Sequence, residues 1–273
     1  MNEKEKKFNK IVNDIKQVKI QGARNIARAA LLAYKLSPKK SSIQKLISAR
    51  ATEPMLKNVL KLAEKKPLKE ILKHFDFAQK EINKSVFKII KNGDIILTHC
   101  HSTNVVQSLI YSKKQGKKFE VYNTETRPLY QGRKTAIELR RVGIKVTMFV
   151  DSAIDIALSG SQKNKKANKV FLGADALIEK GIINKVGSSM IAKLARLNKV
   201  PLYIIADSWK FTKEKVPIEY RALNEVWDKA PKEIKIKNPA FEFVNKKYIK
   251  AIISEKGILN YNNFVKKMKK VPY

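Results

Sequence analysis

The sequence is poor in the residues that build disulfides and metal centres. Its 273 residues include one cysteine, Cys100, and three histidines. A single thiol excludes an internal disulfide, and one cysteine with three histidines does not supply the clustered ligands of a structural zinc site. We therefore predict a protein that needs neither a metal nor a redox cofactor.

Long apolar runs and nucleotide-binding loops are also missing. No stretch approaches the ~18 apolar residues that a bilayer span requires, and the charged first residues lack the apolar core of a signal peptide. No Gly-x-Gly-x-x-Gly or Walker loop is found, which disfavours a nucleotide cofactor and kinase chemistry. The expectation is a soluble, cytoplasmic protein without a membrane partner.

Acidic residues are scarce relative to basic ones. There are 24 Asp and Glu against 58 Lys and Arg, a formal net charge of +34. Such a surface attracts anions. Only nine of the basic residues are Arg, whereas specific recognition of nucleic-acid bases usually relies on the planar fork of Arg. The positive charge is therefore better explained by a lysine-rich composition, or by the binding of small anions, than by specific nucleic-acid binding.

Hydrophobic periodicity predicts helices through the first ninety or so residues. Apolar residues recur at spacings of three and four in four runs, the third of which extends as one stripe from Ser41 to Leu60. Such stripes are typical of the core faces of a helical bundle. Residues 1–92 are therefore predicted to form a helical N-terminal domain.

The periodicity changes at Asn92-Gly93. Short apolar runs then alternate with helix-length amphipathic segments, a pattern typical of a parallel sheet with crossover helices. The predicted strands are residues 94–98, 119–122, 146–150, 170–172 and 202–206. Residues 93–273 are predicted to form a Rossmann-like parallel-sheet domain, so the chain as a whole has an α/β fold with a helical N-terminal domain. Such sheets bind ligands beyond the carboxyl ends of their strands.

Four segments at these strand ends carry the candidate chemistry. Residues 98–103 contain Cys100, and the start of a helix lowers the pKa of a thiol and offers free N–H groups to phosphate. Residues 125–132 contain Arg127, which is expected either to bind phosphate or to form an ion pair with Glu125. Residues 173–175 contain Asp175, and residues 184–188 contain Lys185. A thiol and a carboxylate among at least two anion sites suit the isomerisation of a small bis-anionic substrate.

These segments resemble the superfamily shared by ribose-1,5-bisphosphate isomerases, methylthioribose-1-phosphate isomerases and the regulatory subunits of translation initiation factor 2B. The motifs are HCHS at 99–102, ETRPLYQG at 125–132, VDSA at 150–153, GAD at 173–175, NKVGS at 184–188 and ADSWKF at 206–211. The resemblance extends to QGAR at 21–24, RATEP at 50–54 and NPAF at 238–241. It implies a homo-oligomer, a dimer or a trimer of dimers, formed through the sheet domain.

The resemblance also implies a sugar-phosphate isomerase that converts ribose 1,5-bisphosphate to ribulose 1,5-bisphosphate in AMP metabolism. The isomerases use a cysteine after the first strand and the aspartate of the GAD segment as their catalytic pair, and this chain retains both as Cys100 and Asp175. Which of the two acts as acid and which as base stays open. The residues implied to bind the sugar bisphosphate are Gly22, Ala23, Arg24, Arg50, Ser102, Arg127, Gln131, Gly132, Asn184, Lys185 and Lys210.

Three positions depart from the isomerase pattern. Gln21 stands where the bisphosphate isomerases tend to begin an Arg-Gly-Ala-Gly segment, so Arg24 is the candidate replacement for the lost cation. Ala51 stands where proline is common, and His101 where the isomerases have asparagine. The alternatives are a non-catalytic regulatory subunit that binds a nucleotide or sugar phosphate, and a methylthioribose-1-phosphate isomerase, which would be expected to have Arg-Gly-Ala-Pro at 21–24.

Overall fold

Five helices form the first part of the molecule. The computed structural model describes residues 2–271, and the helices are α1 (Glu3–Lys16), α2 (Ala23–Leu36), α3 (Lys40–Ala49), α4 (Pro54–Ala63) and α5 (Leu68–Ile89). Two apolar clusters hold them together, one including Ile26 and Leu46 and the other Val59 and Phe75. The prediction of an all-helical N-terminal part is confirmed.

The predicted single stripe from Ser41 to Leu60 is wrong, because the chain breaks there into α3 and α4. Proline lacks an N–H and its ring clashes with the preceding turn, so it is tolerated in the first turn of a helix and not in the interior. Pro54 accordingly occupies the first turn of α4. The break leaves Arg50 at the end of α3 and Glu53 at the start of α4.

The remaining strands and helices alternate along the chain. The strands are β1 (Asp94–Thr98), β2 (Phe119–Thr124), β3 (Lys145–Phe149), β4 (Lys169–Leu172), β5 (Ala176–Ile178), β6 (Gly181–Lys185), β7 (Leu202–Ile205), β8 (Phe241–Asn245), β9 (Ala251–Ser254) and β10 (Gly257–Leu259). The helices are α6 (Thr103–Lys114), α7 (Gln131–Arg141), α8 (Ile154–Ser159), α9 (Ser188–Leu197) and α10 (Tyr261–Met268). All five predicted strands are present within two residues.

Seven strands form the central sheet in the order β10-β9-β7-β4-β1-β2-β3. Neighbours are parallel except for the antiparallel pair of β9 and β10. Apolar residues of α5, α6 and α7 cover one face, and those of α8, α9 and α10 cover the other. Strand β1 is therefore buried along its whole length, as expected for a central strand of a doubly covered sheet.

A second, antiparallel sheet in the order β5-β6-β8 was not predicted from the sequence. Strand β5 has three residues, too few for an alternating pattern to be recognised. Strand β6 lies between β5 and β8, pairs with β8 along its whole length and ends at Lys185. The small sheet therefore fixes the position of this lysine beside the end of the central sheet.

Helix α5 contacts both parts of the molecule. Its Ile71 and Phe75 pack in the helical cluster, whereas Ile82 and Val86 pack against the central sheet. We retain residues 1–92 and 93–273 as the proposed domains, with α5 as the element that joins their cores. Within residues 2–271, none of the helices combines the length and the apolar character that crossing a bilayer requires.

Candidate active site

A cleft opens at the carboxyl ends of β1, β4 and β7. Its cavity volume is about 150 Å³. The loops after these strands line one side, and the start of α2 and the α3–α4 connection line the other. The cleft therefore lies where open α/β sheets bind their ligands, with the helical part facing it.

Most of the predicted site residues line this cleft. They come from segments separated by up to 188 positions in the sequence, from Gly22 to Lys210. The predicted residues in the lining are Gly22, Ala23, Arg24, Arg50, Cys100, Ser102, Gln131, Asp175, Asn184, Lys185 and Lys210. The structure thus brings the predicted catalytic pair and most of the predicted binding residues around one space.

Arg127 does not line the cleft. Its exposed guanidinium donates to the Tyr130 hydroxyl (2.5 Å) and to the Val226 carbonyl (3.0 Å). The alternative ion pair with Glu125 is not formed either, because Glu125 pairs with Arg133. Arg127 therefore stabilises the loop after β2, and nothing in its contacts supports its predicted role in phosphate binding.

Two glycines allow backbone and side chains to approach closely near the cleft. A Cβ at Gly132 would lie 1.8 Å from the carbonyl oxygen of Thr124. A Cβ at Gly173 would lie 2.5 Å from Oγ of Ser102. Both positions therefore exclude any side chain. Gly132, although predicted to bind substrate, lies outside the lining and serves the packing of α7 on β2.

Cys100 lies at the end of β1 in a strained backbone conformation. Its φ of 65° is in the left-handed region, which non-glycine residues adopt only where surrounding contacts enforce it. Its N–H donates to Oγ1 of Thr126, and its carbonyl accepts from the Thr135 hydroxyl, both at 2.9 Å. These contacts hold Cys100, a partly exposed residue, at the cleft wall.

The thiol of Cys100 is less acidic than its position suggested. The sequence places it just before α6, and a helix N-terminus lowers a thiol pKa. In the structure, burial raises the pKa of Cys100 to about 11, while the nearby Lys185 ammonium acts in the opposite direction. Loss of hydration therefore outweighs the lowering of the pKa that was expected from the helix start and that the lysine favours.

Asp175 follows β4, and its N–H donates to the Ile183 carbonyl of β6 at 2.9 Å. The side-chain amide of Asn184 lies 3.3 Å from its Oδ2. Burial raises the pKa of Asp175, whereas the charges of Lys210 and Lys185 lower it. The net upward direction means that the surroundings favour a protonated carboxyl group at this position.

Lys185 and Lys210 are buried cations that face the cleft without an ion-pair partner in the described part of the chain. Nζ of Lys210 donates to the Ala174 carbonyl at 2.6 Å. Nζ of Lys185 lies 4.9 Å from the centre of the Phe241 ring. Buried charges are normally paired, so these two ammonium groups create a strong preference for an anionic ligand.

Two arginines add positive charge from the opposite wall. Arg50 pairs with Glu219 at 3.0 Å, while its Nε is buried without a hydrogen-bond partner. Arg221, which the sequence analysis did not single out, lines the cleft and pairs with Glu225 at 2.6 Å. Both guanidinium groups therefore have donors beyond those used in their ion pairs.

Arg24 reaches the cleft edge as the predicted replacement for the missing arginine at position 21. It donates to Asp76 at 2.7 Å, and its guanidinium carbon lies 5.8 Å from the Phe75 ring centre. Asp76 is exposed, so this ion pair is weak and does not commit Arg24 away from a ligand. Gln131, also in the lining, has a buried Oε1 without a partner.

The sequence analysis did not predict a structural role in the site for the two histidines of the HCHS segment. His99 is buried, contacts the Thr124 hydroxyl at 2.5 Å and donates to the Val186 carbonyl at 2.8 Å. Burial lowers its pKa, so it is a neutral imidazole that ties the β1 end to its neighbours. His101 contacts the Thr135 hydroxyl at 3.0 Å. Their position after a predicted strand was the available signal.

One group of metal-ligand types lies elsewhere. Atoms of His74, Asp207 and Glu255 are all within 4.8 Å of one another. Asp207 accepts from the Trp209 N–H at 2.9 Å and contacts His74 at 3.1 Å, and Glu255 accepts from the Ser208 N–H at 3.0 Å. Because these hydrogen bonds occupy the candidate ligand atoms, we interpret the group as a set of polar contacts that joins α5 to the sheet.

Comparison with known proteins supports the assignment of this architecture. Residues 19–261 match the Initiation factor 2 subunit family. Ribose 1,5-bisphosphate isomerase of Methanocaldococcus jannaschii is 37% identical in an alignment that covers 90% of this chain and 89% of that protein. Methylthioribose-1-phosphate isomerase of Thermosipho africanus is 31% identical, covering 97% of this chain and 78% of that protein.

A solved structure shares the fold over almost the whole chain. The Pyrococcus horikoshii OT3 translation initiation factor eIF-2B aligns with a TM-score of 0.82 and 24% identity, covering 95% of this chain and 98% of that one. Fold and cleft together define a Rossmann-like protein with a helical N-terminal part and a cation-lined ligand site. The chain belongs to the Initiation factor 2 subunit family.

Proposed function

We propose that this protein is an aldose–ketose isomerase that converts ribose 1,5-bisphosphate to ribulose 1,5-bisphosphate. The observation that carries the proposal is the cleft in which the buried, unpaired Lys185 and Lys210 lie with Cys100 and Asp175. Cations without protein partners suit a doubly anionic sugar. The relative from Methanocaldococcus jannaschii, named ribose 1,5-bisphosphate isomerase, supports this choice of substrate.

The reaction imposes two demands on the site. The anomeric oxygen carries a phosphate, so the ring cannot open by losing an anomeric proton. An acid must instead protonate the ring oxygen as the bond from C1 to that oxygen breaks, and a second group must help to move hydrogen from C2 to C1. General acid–base catalysis by positioned side chains typically contributes 10²–10⁴-fold to such steps.

Asp175 and Cys100 are suited to different halves of this chemistry. Burial favours the protonated form of Asp175, so it is assigned as the acid for the ring oxygen. Cys100 is assigned to the transfer of hydrogen from C2 to C1, with the Lys185 charge stabilising the thiolate. The first turn of α6 has no side-chain cap, and its N–H groups are available to an enolate-type intermediate.

The phosphate groups are assigned to the cations of the two walls. Lys185 and Lys210 approach from the sheet side, and Arg24, Arg50 and Arg221 from the helical part and the loop before β8. Binding therefore draws the two sides of the cleft together around the sugar. The helices would then exclude water from the reacting centre, which strengthens the electrostatic contacts inside it.

The direct test is incubation of the purified protein with ribose 1,5-bisphosphate, followed by NMR for the ketose carbonyl carbon of the product. Turnover to the ketose is expected. Methylthioribose 1-phosphate serves as the second substrate, because a relative of that name is 31% identical. Faster turnover of the methylthio sugar would replace the proposed substrate, and no turnover of either would remove the isomerase assignment.

A regulatory subunit is the second candidate, favoured by the likeness in fold to a translation initiation factor. It would bind a sugar phosphate or nucleotide in the same cleft without turnover, and would form a complex of defined stoichiometry with a protein partner. The positive surface suits an acidic partner. Binding of the sugar phosphate or nucleotide in calorimetry, together with no turnover in the NMR assay, would select this candidate.

We further propose that the protein forms a homo-oligomer in the cytoplasm. Strand β3 is an edge of the central sheet, and its exposed Met148 lies beside the exposed Ile137 of α7. Exposed apolar sheet edges are normally covered, which supports a dimer, or a trimer of dimers, formed through this domain. The free thiol of Cys100 fits a reducing compartment. Light scattering of the purified protein tests the assembly, and a monomer would contradict it.

A further inference from the structure

Glu53 is a buried acid in the cleft to which the mechanism above gives no task. It is 3% exposed and lines the same cleft as Cys100 and Asp175. A residue before a proline is disfavoured in the helical conformation, and Glu53, followed by Pro54, has a non-helical backbone with φ −112° and ψ 90°. The break between α3 and α4 therefore places an acid in the wall of the cleft.

The ordinary structural roles of a glutamate at this position are not filled. Glu53 precedes the first residue of α4 but makes no side-chain capping hydrogen bond, and its Oε2 is buried without a hydrogen-bond partner. Arg50, three residues earlier, pairs with Glu219 instead, and no cation of residues 2–271 forms an ion pair with Glu53. Neither a helix cap nor an ion pair therefore accounts for its burial.

Buried side-chain atoms without a partner are concentrated at the cleft. Within residues 2–271 they are Nε of Arg50, Oε2 of Glu53, Oδ1 of Asn123 and Oε1 of Gln131. All except the atom of Asn123 belong to residues that line the cleft. Native proteins leave few buried polar atoms unpaired, so the grouping of these atoms around one space indicates that a ligand completes their pairing.

The unpaired atoms of Glu53 and Gln131 are oxygens, and this restricts the ligand group that can meet them. The amide oxygen of Gln131 accepts hydrogen bonds and cannot donate one. A phosphate dianion has no proton to donate and is repelled by a carboxylate. A hydroxyl group both donates and accepts, and the free ring hydroxyls of ribose 1,5-bisphosphate lie at C2 and C3, between the two phosphates.

A hydroxyl group also suits Glu53 in either protonation state. Burial raises the pKa of Glu53 to about 8, and the charge of Asp175 adds to this rise, whereas the charges of Lys210 and Arg50 oppose it. The carboxyl group therefore changes between its neutral and its charged form near physiological pH. The neutral form donates to a hydroxyl oxygen and the charged form accepts from its proton, so the contact exists in both forms.

We propose that Glu53 is a specificity residue that binds a ring hydroxyl of the pentose, at C2 or C3, and so selects sugar phosphates over small bis-anions that lack this hydroxyl. The proposal rests on the isomerase function above and adds a residue to it. The cations of the cleft hold the phosphate groups, and Glu53 binds the sugar between them. Methylthioribose 1-phosphate carries the same two hydroxyls, so Glu53 does not distinguish the two candidate substrates.

The first test compares ribose 1,5-bisphosphate with its 2-deoxy and 3-deoxy analogues. Calorimetry gives the three dissociation constants in the Cys100→Ser protein, in which turnover is slowed. At least one analogue should bind about 10- to 100-fold more weakly than the parent sugar, because loss of its hydroxyl leaves the carboxyl group of Glu53 buried and unpaired. Binding of both analogues within twofold of the parent sugar would overturn the proposal, even if no variant of Glu53 folds.

The second test asks whether Glu53 is the residue that detects the hydroxyl. Glu53→Met, added to the same protein, keeps the length of the side chain but removes both oxygens. It should weaken binding of the parent sugar so that the ratio of the dissociation constants of analogue and parent falls to about one. Glu53→Gln retains an oxygen and an N–H group that can pair with a hydroxyl, and it should keep part of this ratio.

The control for these variants is Glu64→Met, since Glu64 is exposed just after α4. It should leave the ratio of the dissociation constants unchanged. A merely structural role of Glu53 would weaken the binding of all three sugars equally in Glu53→Met. A ratio in Glu53→Met that equals the ratio in Glu64→Met would therefore overturn the proposal.

The two tests separate this proposal from the isomerase function. If the wild-type protein does not turn over the sugar, but binding depends on the hydroxyl through Glu53, the role of Glu53 stands and the isomerase assignment is lost. If the wild-type protein forms the ketose, but the ratio of the dissociation constants does not depend on Glu53, the isomerase stands and the role of Glu53 is lost.

Discussion

The lysines of the cleft and those of the surface are the same side chain in two different environments. The sequence has 49 lysines, and in the described part of the chain only Lys185 and Lys210 are buried. Surface lysines such as Lys7 and Lys66 form exposed ion pairs with glutamates four residues away, where water and salt screen the charge. Burial, rather than the number of positive charges, therefore creates the anion site.

The largest expected effect comes from removing the groups that these cations surround. Cys100→Ser and Asp175→Asn should each lower kcat by about 10³-fold, because each replacement removes a proton-transfer group while keeping the shape of the side chain. Rates of ketose formation measured by NMR check this. Activity within a few-fold of wild type in both variants would reduce the cleft to a binding site.

The cleft lysines themselves should have the next largest effect. Lys185→Met and Lys210→Met should lower kcat/KM by about 10- to 100-fold, since a hydrogen bond to a charged group contributes about 1.5–3 kcal/mol. Lys193→Met, an exposed lysine on α9, should stay within twofold. Equal losses at all three positions would show that overall charge, and not burial, governs binding.

A separate prediction concerns the pH dependence of folding stability. The pKa of Glu53 rises from 4.5 to about 8 on folding, so the native state holds more protons than the unfolded state between these values. Stability from this group is therefore lost as the pH rises through that window, by up to about 1.4 kcal/mol per pH unit.

Urea unfolding from pH 5 to pH 8 measures this term. The stability of Glu53→Gln relative to wild type should increase with pH, whereas that of Glu64→Gln should stay flat. A parallel pH dependence in wild type and Glu53→Gln would mean that the carboxyl group is ionised in the folded protein.

The smallest effect is expected at Arg127, a cation of the site motifs that lies outside the cleft. Arg127→Gln removes contacts with Tyr130 and Val226 on the surface. It should change kcat/KM by less than about threefold, in line with the small effects of exposed substitutions. A loss of kcat/KM as large as that of Lys210→Met would show that Arg127 takes part in phosphate binding.

Much of the fold could be predicted because its signals are local. Apolar runs and helix-length spacers indicated β1, β2, β3, β4 and β7, and stripes of period 3.6 indicated the helical part. The small sheet escaped prediction because β5 has only three residues and because β6 completes the sheet by pairing with β8, a segment distant in sequence that leaves no local pattern. The sequence analysis predicted no helix boundary at Pro54, although a proline within a helical stripe indicates one.

The candidate site was predicted less evenly, and the misses have a common cause. Cys100, Asp175 and Lys185 were identified because their motifs stand at strand ends. Arg127 belongs to an equally specific motif, yet its guanidinium turns to its own loop. Glu53 was passed over because nothing in its neighbourhood of the sequence distinguishes a solvated glutamate from a buried one.

By itself, the sequence determined the order of the elements, the chemical groups available at the strand ends and the sign of the overall charge, since these follow from spacing and side-chain type. Only the tertiary structure decided which of many cations lose their water, that burial makes the Cys100 thiol less acidic, and that Glu53 is buried in the same cleft as Asp175. Hydration and the distance between charges set these properties, and both depend on residues far apart in the chain.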